Sequence, residues 1–283
     1  MLEIRETGPQ ALVQDLGRPG HAAIGVGRSG AADRAALRLG NRLVANDSHG
    51  AAAIEVLLGG LVFVAHRAVT IALTGAPAPA TVDGRPVGHH TLVTVRAGQE
   101  VRLGPPACGL RTYVCVRGGL DVPPVLGSRS TDTLSGIGPE PLAKGTELAV
   151  GPEPAAWPLV AVAPVPLPPV DTVTLHAVRG PRADAAVDPS ALVRTVWQAS
   201  GETDRIGMRL LGATLETADG GGSLPSEGLT RGAIQLPPGG EPVVFLADHP
   251  VTGGYPVIAV LRDADVDRAS QVRPGQSVRV RFT

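Results

Sequence analysis

The chain repeats itself, and a repeat constrains a fold more than any single motif, because two related segments have to bury related cores. Ser29-Gly30-x-x-Asp33-Arg34-x-x-x-Arg38-Leu39 returns as Ser200-Gly201-x-x-Asp204-Arg205-x-x-x-Arg209-Leu210, six identities in eleven positions at an offset of 171. Val95-Arg96-x-Gly98-Gln99-x-Val101-Arg102 returns as Val272-Arg273-x-Gly275-Gln276-x-Val278-Arg279 at an offset of 177. Gly8-Pro9 returns as Gly180-Pro181, and Ile54-Glu55 before Gly59-Gly60 corresponds to Ile234-Gln235 before Gly239-Gly240. Order and offsets agree, so the chain reads as two related domains, 1–156 (with 104–156 completing the first) and 171–283. Between them, 157–170 carries five prolines, which remove ladder donors and favour extended backbone, so it reads as a stiff linker.

Within each domain the period is mostly two. Glycine (37 residues) and proline (27) are frequent while aromatics are 2%, so the core rests on Val, Leu, Ile and Ala in short strands between turns. Segment 277–282 alternates cleanly, 69–73, 112–116 and 243–246 are apolar enough to be central strands, and Asp83-Gly84 marks a hairpin turn. Segments 91–95 and 101–103 suggest a second hairpin closed by Ala97-Gly98. Helix is scarce: one segment over 31–45 capped by Ser29, and one over 189–198 capped by Asp188 with Pro189 at its first position. The sum is a mainly β chain of two tandem barrels with short helices.

A net charge of −1 with 18% charged residues and no block of like charge removes the footprint of a nucleic-acid or membrane-surface binder. The first residues have no basic and apolar leader pattern, and the most apolar stretch, 51–65, is broken by Glu55 and Gly59-Gly60, so the sequence predicts a cytoplasmic protein. Cys108 and Cys115 match no zinc spacing and read as buried, reduced thiols. His89 and His90 are expected on opposite faces of a strand, unable to share a metal.

Gly25-Val26-Gly27-Arg28-Ser29-Gly30 satisfies G-x-G-x-x-G before the first expected helix, but without a preceding buried strand it is no dinucleotide site; its backbone N–H groups remain candidates to hold a carboxylate or phosphate. No P-loop is present, so any ATP is held by other means or by a partner. The richest polar material is in the second domain and lacks a counterpart in the first. Glu227, Asp248 and His249 are candidate general acids or bases, Gln235 and Thr252 candidate hydrogen-bond donors, and Gly253 and Gly254, with Tyr255, a place for close substrate approach. In the first domain Gln14, Asp15 and Arg18 share one loop, and Ser128 and Ser130 lie beside Arg129, groups suited to a carboxylate, oxyanion or phosphate. The alternative is that all these residues only build turns. The repeated Asp33/Asp204 and Arg34/Arg205 read as structural, through helix capping and a local ion pair.

The segments VQDLGRPGHAAIGVGRSGAADRAALRLGNRLVAND, AIEVLLGG, VCVRGGLDVPPVLGSRSTDT, SGETDRIGMRLLG and LPSEGLTRGAIQLPPGGEPVVFLADHPVTGGYPVIA resemble, in order and over essentially the whole chain, the allophanate hydrolase subunit 2, KipA-like or biotin-dependent carboxyltransferase family, which includes the 5-oxoprolinase C subunit. The resemblance implies two cyclophilin-like β-barrels and a component that opens 5-oxoproline to glutamate together with a KipI-like B subunit and an A subunit, using ATP with Mg at the level of the complex. Two alternatives come with the family: a biotin-dependent, urea carboxylase-like carboxyltransferase component, and a non-enzymatic binder that antagonises a KipI-like kinase inhibitor. Under the first reading Arg18 and the 25–30 loop face anionic groups and the 227–255 cluster faces the lactam. Two positions depart from the family pattern: its usual Gly-Arg reads Gly138-Pro139-Glu140 here, and its usual late Asp-Arg reads Asp248-His249.

Overall fold

The computed structural model describes residues 1–47, 50–218 and 224–283. The chain divides into two compact units. The first is Met1–Arg18, Ser29–Asp132 and Gly136–Pro168; the second is Pro19–Arg28, Thr133–Ser135 and Pro169–Thr283. Two short pieces of the first half of the sequence therefore belong to the second unit.

The first unit contains β1 (Leu2–Thr7), β2 (Gln10–Gln14), α1 (Arg34–Leu43), β3 (Ala53–Leu57), β4 (Leu61–Ala65), β5 (Val69–Gly75), β6 (Ala80–Val82), β7 (Arg85–Val87), β8 (Leu92–Val95), β9 (Glu100–Leu103), β10 (Arg111–Val116) and β11 (Glu147–Leu148). They form two antiparallel sheets, β11-β1-β4-β9-β6-β7 and β2-β3-β10-β5-β8. Alternate residues of both sheets meet in one core, Ile4, Leu61 and Phe63 from the first and Val13, Ile54, Ile71 and Val114 from the second. β10 is buried at every position because its other face carries α1, whose Leu37 and Leu43 pack with Tyr113 and Cys115.

The second unit contains β12 (Val173–Arg179), α2 (Ala191–Arg194), β13 (Val196–Ala199), β14 (Gly207–Leu211), β15 (Glu227–Gly228), β16 (Ala233–Gln235), β17 (Val243–Phe245), β18 (Thr252–Gly253), β19 (Val257–Leu261), α3 (Asp263–Ala269) and β20 (Ser277–Phe282). Seven strands close a barrel in the order β12-β19-β16-β17-β14-β13-β20, sealed by the parallel pairing of β20 with β12. Closure leaves the barrel no edge strand to protect. Its interior is filled by Leu175, Trp197, Met208, Leu210, Ile234, Val244 and Val280, and the buried Trp197 indole donates to Leu192 O at 2.8 Å. β15 and β18 form a separate two-stranded ribbon.

The mainly β expectation holds, as do the central strands and the Asp83-Gly84 turn, which joins β6 to β7 through Val82↔Arg85 with φ of 47° and 75°. Four local expectations are corrected. α1 starts at Arg34 and not near Ala31: Ser29 and Gly30 have φ of 52° and 93°, outside helical space, and Asp33 supplies the cap by accepting from Ala36 N at 2.9 Å. α2 is one turn, because from Val196 the chain alternates into the barrel as β13. β8 and β9 are not a hairpin: β8 pairs with β5, and β9 with β4 and β6, so Ala97-Gly98 is a corner between sheets. His89 and His90 lie in a bend with their rings edge-on at 5.5 Å. α3 had no sequence expectation; its first turn carries Asp263 and Asp265, favourable at a helix N-terminus. Among the described residues no helix is long and apolar enough to cross a membrane.

Candidate functional site

In the first unit the sequence-derived candidates converge on one carboxylate. Asp15, just after β2, accepts Ser128 Oγ and Ser130 Oγ, each at 2.6 Å, and Gly17 N at 2.7 Å through Oδ1, while Oδ2 accepts Arg129 N at 2.7 Å. Two hydroxyls and two backbone N–H groups pointing at one spot make an anion hole, and the chain's own carboxylate fills it. Around it, Gln14 Nε2 donates to Thr131 O at 2.8 Å and Ser29 Oγ to the same carbonyl at 3.2 Å. Arg18 donates from Nη2 to Ser130 O and from Nε to Val125 O at 3.4 Å. All these side chains are buried, so Ser128, Ser130 and Arg18 are braces that fix loop 125–131 against β2. The 25–30 loop opens no helix: after the short 3-10 turn Ala22–Ile24, Gly25 turns left-handed, and α1 begins only at Arg34.

In the second unit Asp248 occupies the corresponding role of hub. Arg205 Nε meets Asp248 Oδ2 at 2.8 Å and Arg205 Nη2 meets Oδ1 at 2.9 Å, a bidentate pair with both side chains buried. Thr133 adds two more donors to Oδ2, its N–H at 2.9 Å and its hydroxyl at 2.8 Å. A carboxylate with this many donors is held in a fixed rotamer, which suits positioning better than proton transfer. Beside it, Asp204 Oδ1 accepts Ile206 N at 2.7 Å and Gly207 N at 2.9 Å, while Arg205 reaches the distant Asp248.

The remaining candidates lie on or beside the β15–β18 ribbon. Glu227 pairs in register with Gly253, and Gly228 with Thr252. The carboxylate of Glu227 is ion-paired with Arg182, and that hydrogen bond holds its pKa below the ordinary value. Gln235, buried at the end of β16, donates from Nε2 to Tyr255 O at 2.9 Å and fills the space beside Gly253, where a Cβ would sit 2.6 Å from that nitrogen. Gly254 O accepts Leu224 N at 2.8 Å. Thr252 and the Tyr255 side chain are exposed. His249 Nδ1 lies 2.8 Å from Pro250 O, and its ring is tilted against Phe245 at 6.4 Å.

The structure thus brings Gln14, Asp15, Arg18, Ser29, Ser128 and Ser130 into one buried network. Glu227, Gln235, Thr252, Gly253, Gly254 and Tyr255 gather on a partly exposed face, Asp248 forms a separate buried hub, and His249 meets Pro250 O and the Phe245 ring. Sequence reasoning missed Thr133 and Arg182. A Thr next to the Ser128-to-Asp132 run was the available signal for the first; nothing local marks the second. It also missed the buried group at the start of α1, where Tyr113 OH donates to Glu55 Oε2 at 2.7 Å and accepts Asp33 N at 2.8 Å.

The carboxyltransferase domain, subdomain A and B, family matches residues 24–282. This chain belongs to that family. It is 34% identical to the 5-oxoprolinase C subunit of Haemophilus influenzae, covering 99% of this chain and 90% of that protein, and 36% identical to the 5-oxoprolinase C subunit of Escherichia coli, covering 98% and 90%. It is also 32% identical to urea amidolyase of Saccharomyces cerevisiae, of which it covers 16%. Among solved structures it is similar to TTHA0988, with a TM-score of 0.89 and 33% identity, and spans 56% of that chain. Kluyveromyces lactis urea carboxylase gives a TM-score of 0.93 at 28% identity, with 27% of that chain covered.

Proposed function

We propose that this chain is one component of a cytoplasmic, ATP-dependent 5-oxoprolinase complex that opens 5-oxoproline to glutamate together with a KipI-like B subunit and an A subunit. The observation that carries this reading is reciprocal coverage. The two 5-oxoprolinase C subunits are matched over 90% of their own length, whereas the urea amidolyase is matched over 16% of a much longer protein. Two buried, unpaired cysteines fit a reducing compartment.

ATP supplies activation of the lactam carbonyl oxygen. The cluster of hydroxyls and N–H groups around loop 125–131, suited to a phosphate, is filled by Asp15, so the residues of this chain do not fit ATP there, and we assign ATP and Mg to the partner subunits. The contribution of this chain is the ribbon face. Glu227, kept ionised by Arg182, accepts a proton from the water that attacks the activated carbonyl, while exposed Thr252 and Tyr255 orient the ring. Asp248 acts through others, holding Thr133 and Arg205 in place.

The test is ADP release by the assembled three-subunit complex, with 5-oxoproline and then urea, each with and without avidin. 5-Oxoproline-dependent, avidin-insensitive ATP use is the expected result. Glu227→Gln should lower kcat at least tenfold while the complex still assembles; turnover within twofold of wild type would show that the ribbon face is not the reacting surface. A second reading, carboxyltransfer from carboxybiotin to an amide, is favoured by the likeness to urea carboxylase, and urea-dependent, avidin-blocked turnover would establish it.

A further inference from the structure

The stretch 154–170 contains no charged residue in a chain that is 18% charged. It is also where exposed apolar side chains concentrate. Trp157 is 65% exposed, Leu159 102% and Leu167 67%, with Val160 and Val162 also exposed, and no other stretch of similar length among the described residues gathers as many. Water-facing apolar groups at this density are uncommon on a free surface and mark places where another protein binds.

The stretch is nevertheless held firmly from behind. Arg117, itself buried, donates to the carbonyls of Pro154 and, at 2.8 Å, of Ala156, and its guanidinium lies 4.3 Å from the centre of the Trp157 ring. Further along, Leu92 N donates to Ala161 O at 3.0 Å and Ala163 N to His90 O at 2.8 Å, so 161–163 lies along β8 at the edge of its sheet. Ala163 turns inward onto the α1 cluster while Val162 turns out. Prolines at 158, 164, 166 and 168 offer no N–H, so the outer side of this segment cannot extend the sheet by pairing with a further strand. Recognition has to go through side chains.

We propose that 157–168 is a preorganised docking surface for a partner subunit that presents an uncharged, apolar groove. This rests on the reading above that the chain is one component of a complex. Five water-facing apolar side chains in one short stretch, Trp157, Leu159, Val160, Val162 and Leu167, supply the apolar centre that a stable interface, roughly 800 Å² per partner, is built around. Trp157, packed on Arg117 and open to the outside, is the type of residue that anchors such contacts. Stiff, proline-spaced backbone limits the conformational entropy lost on binding. A charged ligand is disfavoured by the absence of any charge in the stretch.

The test is calorimetric titration of the full chain with the purified KipI-like subunit, using wild type, Leu159→Gln/Leu167→Gln and Trp157→Ala, with Val196→Gln on the barrel as a control. The proposal expects Kd to rise at least thirtyfold in the double variant and about tenfold in Trp157→Ala, with melting temperatures and the control unchanged. Binding of the double variant within twofold of wild type overturns it, as does failure of wild type to bind the KipI-like subunit. Light scattering that shows a wild-type dimer and a monomeric double variant would make the occupant a second copy of this chain and overturn the choice of partner. If wild type binds and the double variant does not, yet the assembled complex fails to use 5-oxoproline, the surface stands and the oxoprolinase reading falls.

Discussion

Two repeated pieces of sequence behave differently in the two units. The Val-Arg-x-Gly-Gln repeat builds the same object twice. Arg96 N donates to Gln99 Oε1 at 2.8 Å and Arg273 N to Gln276 Oε1 at 3.0 Å; Gln99 N and Gln276 N return to the Arg carbonyls at 3.1 and 3.0 Å. Gly98 and Gly275 sit at φ of 83° and 80°. The Ser-Gly-x-x-Asp-Arg repeat, with as many identities, opens α1 in the first unit and runs into β14 in the second. The residues just after the motif make the difference. Ala35-Ala36-Leu37 favours helix, and Asp33 caps it; Ile206-Gly207 disfavours helix, and Met208 and Leu210 alternate into the barrel core. A motif whose hydrogen bonds close within four residues carries its structure with it. A motif completed by distant partners does not.

The largest test of that contrast is Asp248→Ala, which removes the bidentate partner of the buried Arg205 guanidinium and should cost about 3–5 kcal/mol in urea unfolding. Asp33→Ala removes the local helix cap and should cost about 1 kcal/mol. Equal losses for the two would break the comparison.

Acid sharpens it by acting on the first unit. Burial, and then the neighbouring His90, push the His89 imidazole down to about 4. The unfolded chain takes up this proton near pH 6.5 and the folded chain does not, so stability is full above pH 6.5, falls as pH drops toward 4, and loses nothing further from this group below it. The loss should reach about 2–3 kcal/mol, and His89→Phe should flatten that limb of a stability-against-pH curve.

Gly98→Ala and Gly275→Ala come next. Each glycine has open space where a Cβ would go, so only the left-handed backbone is penalised, about 1 kcal/mol in each unit, matching within the error of paired thermal melts. Unequal losses would show that the two turns are not equivalent. The smallest effect is expected for Gln99→Ala and Gln276→Ala, roughly 0.5–1 kcal/mol each by the same melts, since each removes a partly exposed side chain that closes its turn.

The amino-acid sequence by itself determined the features that close over short distances. Alternation placed 277–282 as a strand, Asp83-Gly84 specified its left-handed turn, and the density of Gly, Pro and aliphatic residues made the chain mainly β. It also singled out polar residues that lie together, Asp15 with Ser128 and Ser130, and likewise Gln235 with Gly253 and Tyr255. Only the tertiary structure decided what those residues do. Asp15 finds its hydroxyl donors 113 and 115 positions away, and Asp248 finds Arg205 and Thr133 at 43 and 115. Strands 92–95 and 100–103 read locally as a hairpin, yet each finds better cover for its apolar face in a different sheet. Hydrogen bonds and packing between residues so far apart depend on how the whole chain closes, and no local window of sequence encodes that.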